Sequence, residues 1–161
     1  MRIKNTQIIT LLCMCVITAL GSSCASQKRA QVREQKINTV IKTAKTYVGT
    51  PYKWGGTTRG GMDCSGLLCN SFRAVDYELP RTSIAQSKVG EKVKQKQIKK
   101  GDLVFFATGK KKRRVTHVGL VTRVRAGEVK FIHSSSSLGV VESSLSSKYY
   151  KKRFIMARRP F

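Results

Sequence analysis

The chain has 161 residues, of which 40% are hydrophobic and 25% charged, so the composition excludes an intrinsically disordered protein and predicts one domain with a sizeable core. The formal net charge of +24 at pH 7 predicts polyanionic partners. Charge alone does not distinguish nucleic acid from membrane phosphates or anionic cell-wall polymers. The cellular compartment of the protein is needed to choose among these partners.

Residues 1–23 have the pattern of a secretory signal. Arg2 and Lys4 give a positive start, residues 8–20 are mostly apolar, and small residues precede Cys24. The apolar run of about thirteen residues is short for a membrane span. The ending resembles a bacterial lipobox, which would make Cys24 the lipidated first residue of a lipoprotein. Cleavage by ordinary signal peptidase and a retained anchor helix are the alternatives, and all three place the domain outside the cytoplasm.

A polar segment and a helix follow the signal. Residues 24–36 are polar and basic and predict a flexible tether. A helical pattern begins at Glu34, and Gly49 stands where a C-terminal cap belongs. The apolar face of this predicted helix consists of Ile37, Val40, Ile41, Ala44, Tyr47 and Val48. We interpret it as a scaffold helix and place the folded domain at residues 37–161.

A cysteine begins the next predicted helix. The glycine-rich residues 55–61 come shortly before Cys64, and Leu68 and Phe72 share a helical face with it. A thiol in the first turn of a helix lies at the positive end of the helix dipole, which favours the thiolate. The side chain of Cys69 diverges by about 140° around the helix axis, so we expect no disulfide between the two cysteines.

The second half of the chain predicts strands. Residues 79–86 predict a short helix capped by Thr82 or Ser83, and the lysine-rich residues 88–100 predict a solvated segment. Strands are predicted at residues 103–107, 115–124, 129–133 and 153–158, with a hairpin turn at residues 126–127. Helices first and strands later, with short connections, predict the α+β class with an antiparallel sheet.

The two histidines of the chain fall on the two strands of the predicted hairpin. Partners across a hairpin lie about 5 Å apart. His133 is therefore placed to bind one ring nitrogen of His117, while the other faces Cys64. This layout fits a thiol nucleophile with its base, but the same residues also fit a buried structural cysteine and structural histidines. A metal site is disfavoured because the three residues lack the short spacing of ligand motifs.

Six motifs in order resemble the NlpC-like family of cell-wall cysteine peptidases. The resemblance extends from about Ile37 to the C-terminus. The motifs lie at residues 52–56, 63–66, 80–86, 101–106 and 117–119 and at His133. The resemblance implies a papain-like α+β fold, in which the cysteine helix packs on an antiparallel sheet that carries the histidines.

The resemblance also implies roles for the motif residues. Cys64 would be the nucleophile, His117 the base and His133 the third polar residue, and Tyr52 would help to shape the oxyanion site. A second group lines or supports the site in the family. The resemblance implies that Asp63 and Ser65 line the amine-binding side of the substrate site. It implies a near-site, structural role for Arg81, Ser83 and Gln86.

The implied reaction is hydrolysis of peptidoglycan stem peptides, between γ-D-glutamate and a diamino acid, without a metal or cofactor. An N-acetylmuramoyl-L-alanine amidase or another acyl transferase on the same fold is the first alternative, and a non-catalytic basic lipoprotein of the cell envelope is the second. The expected partners are stem peptides, a membrane through lipidated Cys24, and anionic envelope polymers. Nucleic acid is disfavoured, because the signal exports the domain and Trp54 with scattered tyrosines offers no stacking platform.

Overall fold

The computed structural model describes residues 5–109 and 113–161, with side chains from residue 25 onward. The chain divides into two compact units, Met1–Gln35 and Lys36–Phe161. The predictions of a signal at residues 1–23 and of lipidation at Cys24 lie outside the residues whose side chains are described. In the described part of the chain, no helix has the length and apolarity needed to cross a membrane.

The first helix, α1, spans Asn5–Lys45. The predicted tether at residues 24–36 is therefore helical and not a flexible coil, which corrects the sequence-based prediction. Between residues 25 and 45 there is no glycine or proline, and Ala, Gln, Lys and Arg all have high helix propensity. The polar composition of the segment gives it exposed side chains, but it does not stop the backbone from forming a helix.

A small hairpin leads into the cysteine helix. The strand β1 (Thr57–Thr58) pairs with β2 (Gly61–Met62) in antiparallel register, so residues 59–60 of the glycine-rich run form a tight turn. Helix α2 (Cys64–Arg73) begins two residues later. Eight of its ten residues are buried, because α2 packs against the sheet described below.

The segment between α2 and the strands is partly structured. Helix α3 (Ser83–Gln86) is capped by Thr82, whose hydroxyl accepts a hydrogen bond from the N–H of Ala85 at 3.2 Å, as predicted. The prediction that residues 88–100 are solvated is wrong in part. They contain the strand β3 (Glu91–Val93), and Val93 and Ile98 are buried. Two apolar residues in a lysine-rich stretch are a weak signal, and the partner strand lies far along the chain.

Five further strands and a helix complete the domain. They are β4 (Leu103–Phe106), β5 (His117–Arg125), β6 (Glu128–Ser135), β7 (Gly139–Ser144), α4 (Lys148–Arg153) and β8 (Phe154–Arg159). The sheet has six strands in the order β3-β8-β4-β5-β6-β7, and every pairing is antiparallel. The predicted hairpin between β5 and β6 is confirmed, and both turn residues have positive φ.

Apolar side chains cover both faces of the sheet. On one face Phe72 of α2 shares a core with Val118 and Ile132, from the two strands that carry the histidines. On the other face Phe106 and Phe131 share a second core, which closes over the sheet with α4 nearby. The cysteine helix is thus packed directly against the histidine strands, and the predicted α+β class is confirmed.

Candidate active site

Three elements meet at one cleft and each contributes one of the predicted reactive side chains. Cys64 is the first residue of α2, His117 is the first residue of β5, and His133 lies in the neighbouring strand β6. All three line a cleft of about 1130 Å³. Folding thus brings together residues that are up to 69 positions apart in the sequence.

The two histidines contact each other directly. The Nε2 atom of His117 and the Nδ1 atom of His133 are 3.0 Å apart, and their rings are nearly perpendicular at 84°. One of these two nitrogens must carry the shared proton. The contact uses one ring nitrogen of His117 and leaves Nδ1 as the nitrogen that can accept a proton from Cys64.

Two hydroxyl groups bind the far side of His133. Its Nε2 atom lies 3.0 Å from Oγ of Ser143 in β7 and 3.2 Å from Oη of Tyr150 in α4. If His133 donates from Nε2 to a hydroxyl, its Nδ1 accepts from His117, and Nδ1 of His117 becomes a proton acceptor. Sequence reasoning missed Ser143 and Tyr150, since neither belongs to a motif and only the tertiary fold brings them to His133.

Both imidazoles are neutral in the folded protein. Burial lowers the pKa of His117 to about 4, and burial together with the repulsion that a protonated His117 would exert lowers the pKa of His133 to about 3. The aromatic rings of Phe106, Phe131 and Tyr150 pack around the two histidines and exclude water from them. His117 is therefore a base that is ready to accept a proton at neutral pH.

The Cys64 side chain is a neutral thiol at neutral pH. Burial, with a smaller contribution from the charge of Asp63, raises its pKa to about 11, although backbone hydrogen bonds with Val118 and Ser65 act in the opposite direction. This rise in the thiol pKa is opposite to the fall that the position of Cys64 at a helix start predicts. Desolvation of the buried sulfur outweighs the helix N-terminus, so a thiolate at Cys64 needs a base that accepts its proton.

Asp63 fixes the start of the cysteine helix. Its Oδ1 atom accepts the N–H of Gly66 at 2.7 Å, and its Oδ2 atom accepts the N–H of Gly55 at 3.0 Å. Arg81 donates to both carboxylate oxygens, at 2.9 and 2.8 Å, and to Oγ of Ser65 at 2.9 Å. Burial raises the pKa of Asp63, but hydrogen bonds from Arg81, Gly66 and Ser65 outweigh it and hold the pKa below its usual range. Asp63, Ser65 and Arg81 all line the cleft and form one network there.

The other predicted site residues divide between the cleft and the core. Tyr52 lines the cleft, and burial together with the nearby Cys64 and Asp63 raises its pKa. Ser83 also lines the cleft. Gln86 is fully buried and donates to the carbonyls of Ser65 at 3.2 Å and Pro80 at 2.8 Å, so it ties α2 to the segment before α3. Within residues 25–109 and 113–161, no three His, Cys, Asp or Glu side chains form a group that could hold a metal ion.

Comparison with known proteins adds a family assignment to this geometry. The model of the NlpC/P60 family matches residues 49–159. The chain is 36% identical over 155 residues to the protein named Probable endopeptidase NlpC of Escherichia coli strain K12, and the match covers 91% of this chain and 97% of that protein. It is 35% identical over 149 residues to Murein DD-endopeptidase MepS/Murein LD-carboxypeptidase of the same strain, covering 88% of this chain and 76% of that protein.

A longer relative and a solved structure agree with this assignment. Gamma-D-glutamyl-L-lysine dipeptidyl-peptidase of Bacillus subtilis strain 168 is 35% identical over 150 residues, which cover 91% of this chain and 49% of that protein. The crystal structure of an NlpC/P60 family protein from Bacillus cereus superposes with a TM-score of 0.68 at 34% identity, over 76% of this chain and 39% of that chain. The helix with its cysteine, packed on a sheet with the histidines, has the papain-like arrangement of these proteins.

Proposed function

Since this chain belongs to the NlpC/P60 family of cysteine peptidases, we propose that it hydrolyses amide bonds in the stem peptides of peptidoglycan through Cys64, His117 and His133. The observation that carries the proposal is the 3.0 Å contact between the two histidines in the cleft that contains the cysteine. A thiol and a neutral imidazole in one cleft supply the nucleophile and the base that nucleophilic catalysis uses.

The mechanism begins from the neutral pair. The Cys64 thiol transfers its proton to Nδ1 of His117 as the sulfur attacks the amide carbonyl, and a tetrahedral intermediate forms. The N–H of Cys64 and the hydroxyl of Tyr52 stabilise the oxyanion. His133 stabilises the imidazolium, because Ser143 and Tyr150 orient its ring.

Collapse of the intermediate completes the reaction in two steps. The imidazolium of His117 gives its proton to the leaving amine, the C–N bond breaks, and the acyl group remains on Cys64 as a thioester. His117 then removes a proton from water, the resulting hydroxide attacks the thioester, and the sulfur leaves. The products are a carboxylic acid and an amine, and Cys64 returns to the thiol.

For the bond that is cut, we favour the amide between γ-D-glutamate and the diamino acid. A relative that is 35% identical is named for a γ-D-glutamyl-L-lysine bond. The murein DD-endopeptidase relative makes a D,D bond the second candidate, at an equal identity of 35%. An amidase cutting between sugar and peptide is the third. Masses of the released fragments distinguish these three bonds.

The test is digestion of purified sacculi by the protein, followed by mass spectrometry of the fragments. Replacement of Cys64 by alanine should lower the rate by roughly 10³-fold or more, because no other group replaces the nucleophile. Cys69→Ala is the matched control, since Cys69 is the other buried free cysteine of the described chain and contacts the carbonyls of Leu79 and Pro80. Digestion by the Cys64→Ala variant at the wild-type rate would refute the proposal.

We also propose that the protein acts in the cell envelope as a lipoprotein anchored through Cys24. The signal pattern of residues 1–23 supports this, and hydrolysis of peptidoglycan places the substrate in the same compartment. Mass spectrometry of the mature N-terminus should find a lipid-modified cysteine as first residue in the wild type and an unprocessed or unmodified N-terminus in Cys24→Ala. An unmodified N-terminus in the wild type would show that the chain is exported without a lipid.

A further inference from the structure

Exposed apolar side chains are concentrated at the cleft. Seven large apolar side chains are exposed in the part of the chain that the structure describes, and four of them line the cleft: Trp54, Ile84, Leu138 and Tyr149. The most exposed are Trp54 at 87% and Leu138 at 70%. Large exposed aromatic residues at a cleft are typical of ligand contacts, because the free protein gains nothing from leaving an indole in water.

The turn that carries Trp54 is fixed to the start of the cysteine helix. The N–H of Gly56 donates to the carbonyl of Lys53 at 3.0 Å, and the N–H of Gly55 donates to the carboxylate of Asp63. A Cβ atom on Gly56 would lie 2.3 Å from the carbonyl oxygen of Gly61, so this turn packs tightly on the β1–β2 hairpin. The backbone that carries the exposed indole is therefore held in place.

A serine-rich turn lies on the same side of the cleft. The turn consists of residues 135–138, from the last residue of β6 to the residue before β7. Just after it, the N–H of Val140 donates to the carbonyl of Thr50 at 2.9 Å. The buried hydroxyl of Ser134 donates to the carbonyl of Met62 at 2.7 Å, and Met62 in turn bridges to Tyr52. These contacts connect the serine turn to the segment that ends in the Trp54 turn.

These two turns offer an aromatic face and neutral hydroxyl groups. Ser135 organises the serine turn by accepting from the N–H groups of Ser137 and Leu138, and Ser136 and Ser137 are exposed in the cleft. An aromatic ring binds the C–H face of a pyranose, while hydroxyl groups exchange hydrogen bonds with sugar hydroxyl and acetamido groups. Of the charged side chains that line the cleft, Asp63 and Arg81 pair with each other at the start of α2, and Arg114 is a further cation of the lining.

We propose that the Trp54 turn (residues 53–56) and the serine turn (residues 135–138) form a subsite for a sugar ring of the glycan strand that carries the stem peptide. The inference rests on the proposed function, which supplies peptidoglycan as the ligand. The cleft of about 1130 Å³ is larger than a short peptide segment requires and has room for an attached sugar. Recognition of the sugar would favour stem peptides that are still attached to glycan over free peptides.

The first test uses the intrinsic fluorescence of Trp54, the only tryptophan of the chain. The Cys64→Ala variant, which leaves ligands uncut, is titrated with a disaccharide-peptide, with the same stem peptide without sugar, and with the disaccharide alone. We expect a blue shift of the emission with both sugar-containing ligands and not with the free peptide. An equal shift with the free peptide, or no shift with either sugar-containing ligand, would overturn the subsite.

The second test is kinetic and compares two substrates. Replacement of Trp54 by alanine should lower the ratio of kcat/KM for the disaccharide-peptide to kcat/KM for the free stem peptide by about tenfold. Val48→Ala is the matched control, because Val48 is 56% exposed and lies outside the cleft lining, and it should leave the ratio unchanged. Circular dichroism checks that both variants are folded.

The two proposals fail in different ways. If the wild type cleaves both substrates and Trp54→Ala has the wild-type ratio, the sugar subsite is wrong and the peptidase function stands. If the wild type cleaves neither substrate, the proposed function is wrong, and the fluorescence titration still decides the subsite.

Discussion

His133 lies between His117 on one side and two hydroxyl groups on the other. Its Nδ1 atom contacts Nε2 of His117 at 3.0 Å, and its Nε2 atom contacts Ser143 and Tyr150. A ring with partners on both nitrogens has a fixed orientation, and its tautomer decides which nitrogen of His117 remains free. In the proposed mechanism the two hydroxyl groups therefore act through His133, as positioning residues.

We expect either hydroxyl group to orient His133 when the other is removed. Ser143→Ala and Tyr150→Phe should each lower kcat by no more than about threefold, whereas the double variant should lower it by about tenfold or more, since the second nitrogen of His133 then has no hydroxyl partner. Steady-state kinetics and the pH profile of each variant measure the effect. Tyr149→Phe is the control for loss of a nearby tyrosine hydroxyl. A double variant with wild-type kcat and an unchanged pH profile would contradict the role.

The lowered pKa of His117 predicts activity in mild acid. Only neutral His117 accepts the thiol proton, so kcat/KM should fall as the pH drops through the pKa of His117 in the free enzyme. Burial puts that pKa at about 4, well below the ordinary 6.5. The acid limb of kcat/KM against pH should therefore have its midpoint well below 6.5, with circular dichroism as the check for unfolding. A midpoint at 6.5 or above would show that burial does not keep His117 neutral.

Much of the reactive site can be predicted from sequence, but its protonation cannot. Cys64, His117 and His133 stand out because they are a cysteine at a helix start and the only two histidines, on adjacent predicted strands. The hydroxyl partners of His133 come from β7 and α4, and no local pattern places them there. The thiol pKa depends on burial, which comes from packing α2 against β5 and β6, so helix position alone gave the wrong direction.

At the scale of elements, Gly119 controls how closely β5 and β6 pack beside the histidines. A Cβ atom at this position would lie 2.4 Å from Cδ2 of Phe131, far inside van der Waals contact. Phe131 also packs against the rings of His133 and Tyr150. The glycine of the 117–119 motif is therefore explained by packing between the two histidine strands.

Replacement of Gly119 by alanine should destabilise the fold by about 1–3 kcal/mol and lower kcat, because Phe131 must move and His133 moves with it. Urea unfolding and steady-state kinetics measure the two effects. Gly60→Ala is the matched control, since its nearest neighbour would be Oγ1 of Thr58 at an ordinary 3.6 Å, and it should change stability by less than about 0.5 kcal/mol. Equal stability of the two variants would show that the strands adjust without cost.

The elements that sequence predicts well are those whose signals are local. The β5–β6 hairpin follows from two β-rich runs around residues 126–127, and the α3 cap follows from Thr82. The strand β3 was missed because its pairing with β8 joins residues more than 60 positions apart. The flexible tether predicted for residues 24–36 is wrong, because a polar composition does not prevent a helix and nothing in the segment breaks one.

At the scale of the whole molecule, the chain carries a large positive charge and its substrate lies in an anionic wall. The net charge is +24, and Lys88, Lys92, Lys94 and Lys96 are exposed in and around β3, at the edge of the sheet away from the histidine strands. Lysines on an edge strand also prevent pairing with another sheet. We infer that the charge adds long-range attraction to anionic envelope polymers beyond the contacts of the cleft.

Binding of the Cys64→Ala variant to sacculi should weaken as salt is raised, because the screening length falls from about 10 Å at 0.1 M to about 3 Å at 1 M. Cosedimentation across this range measures the affinity. Hydrolysis of a small soluble disaccharide-peptide by the wild type is the control, and its KM should change much less. Sacculus binding that is independent of salt would rule out the electrostatic contribution.

The burial of Cys64 has a consequence for the durability of the enzyme. Thiolates react with peroxides and with other thiols far faster than neutral thiols do, and exported proteins work in oxidising surroundings. A sulfur that stays a neutral thiol at neutral pH is a poor target for oxidants. The burial that makes Cys64 a weak acid therefore also limits its oxidation.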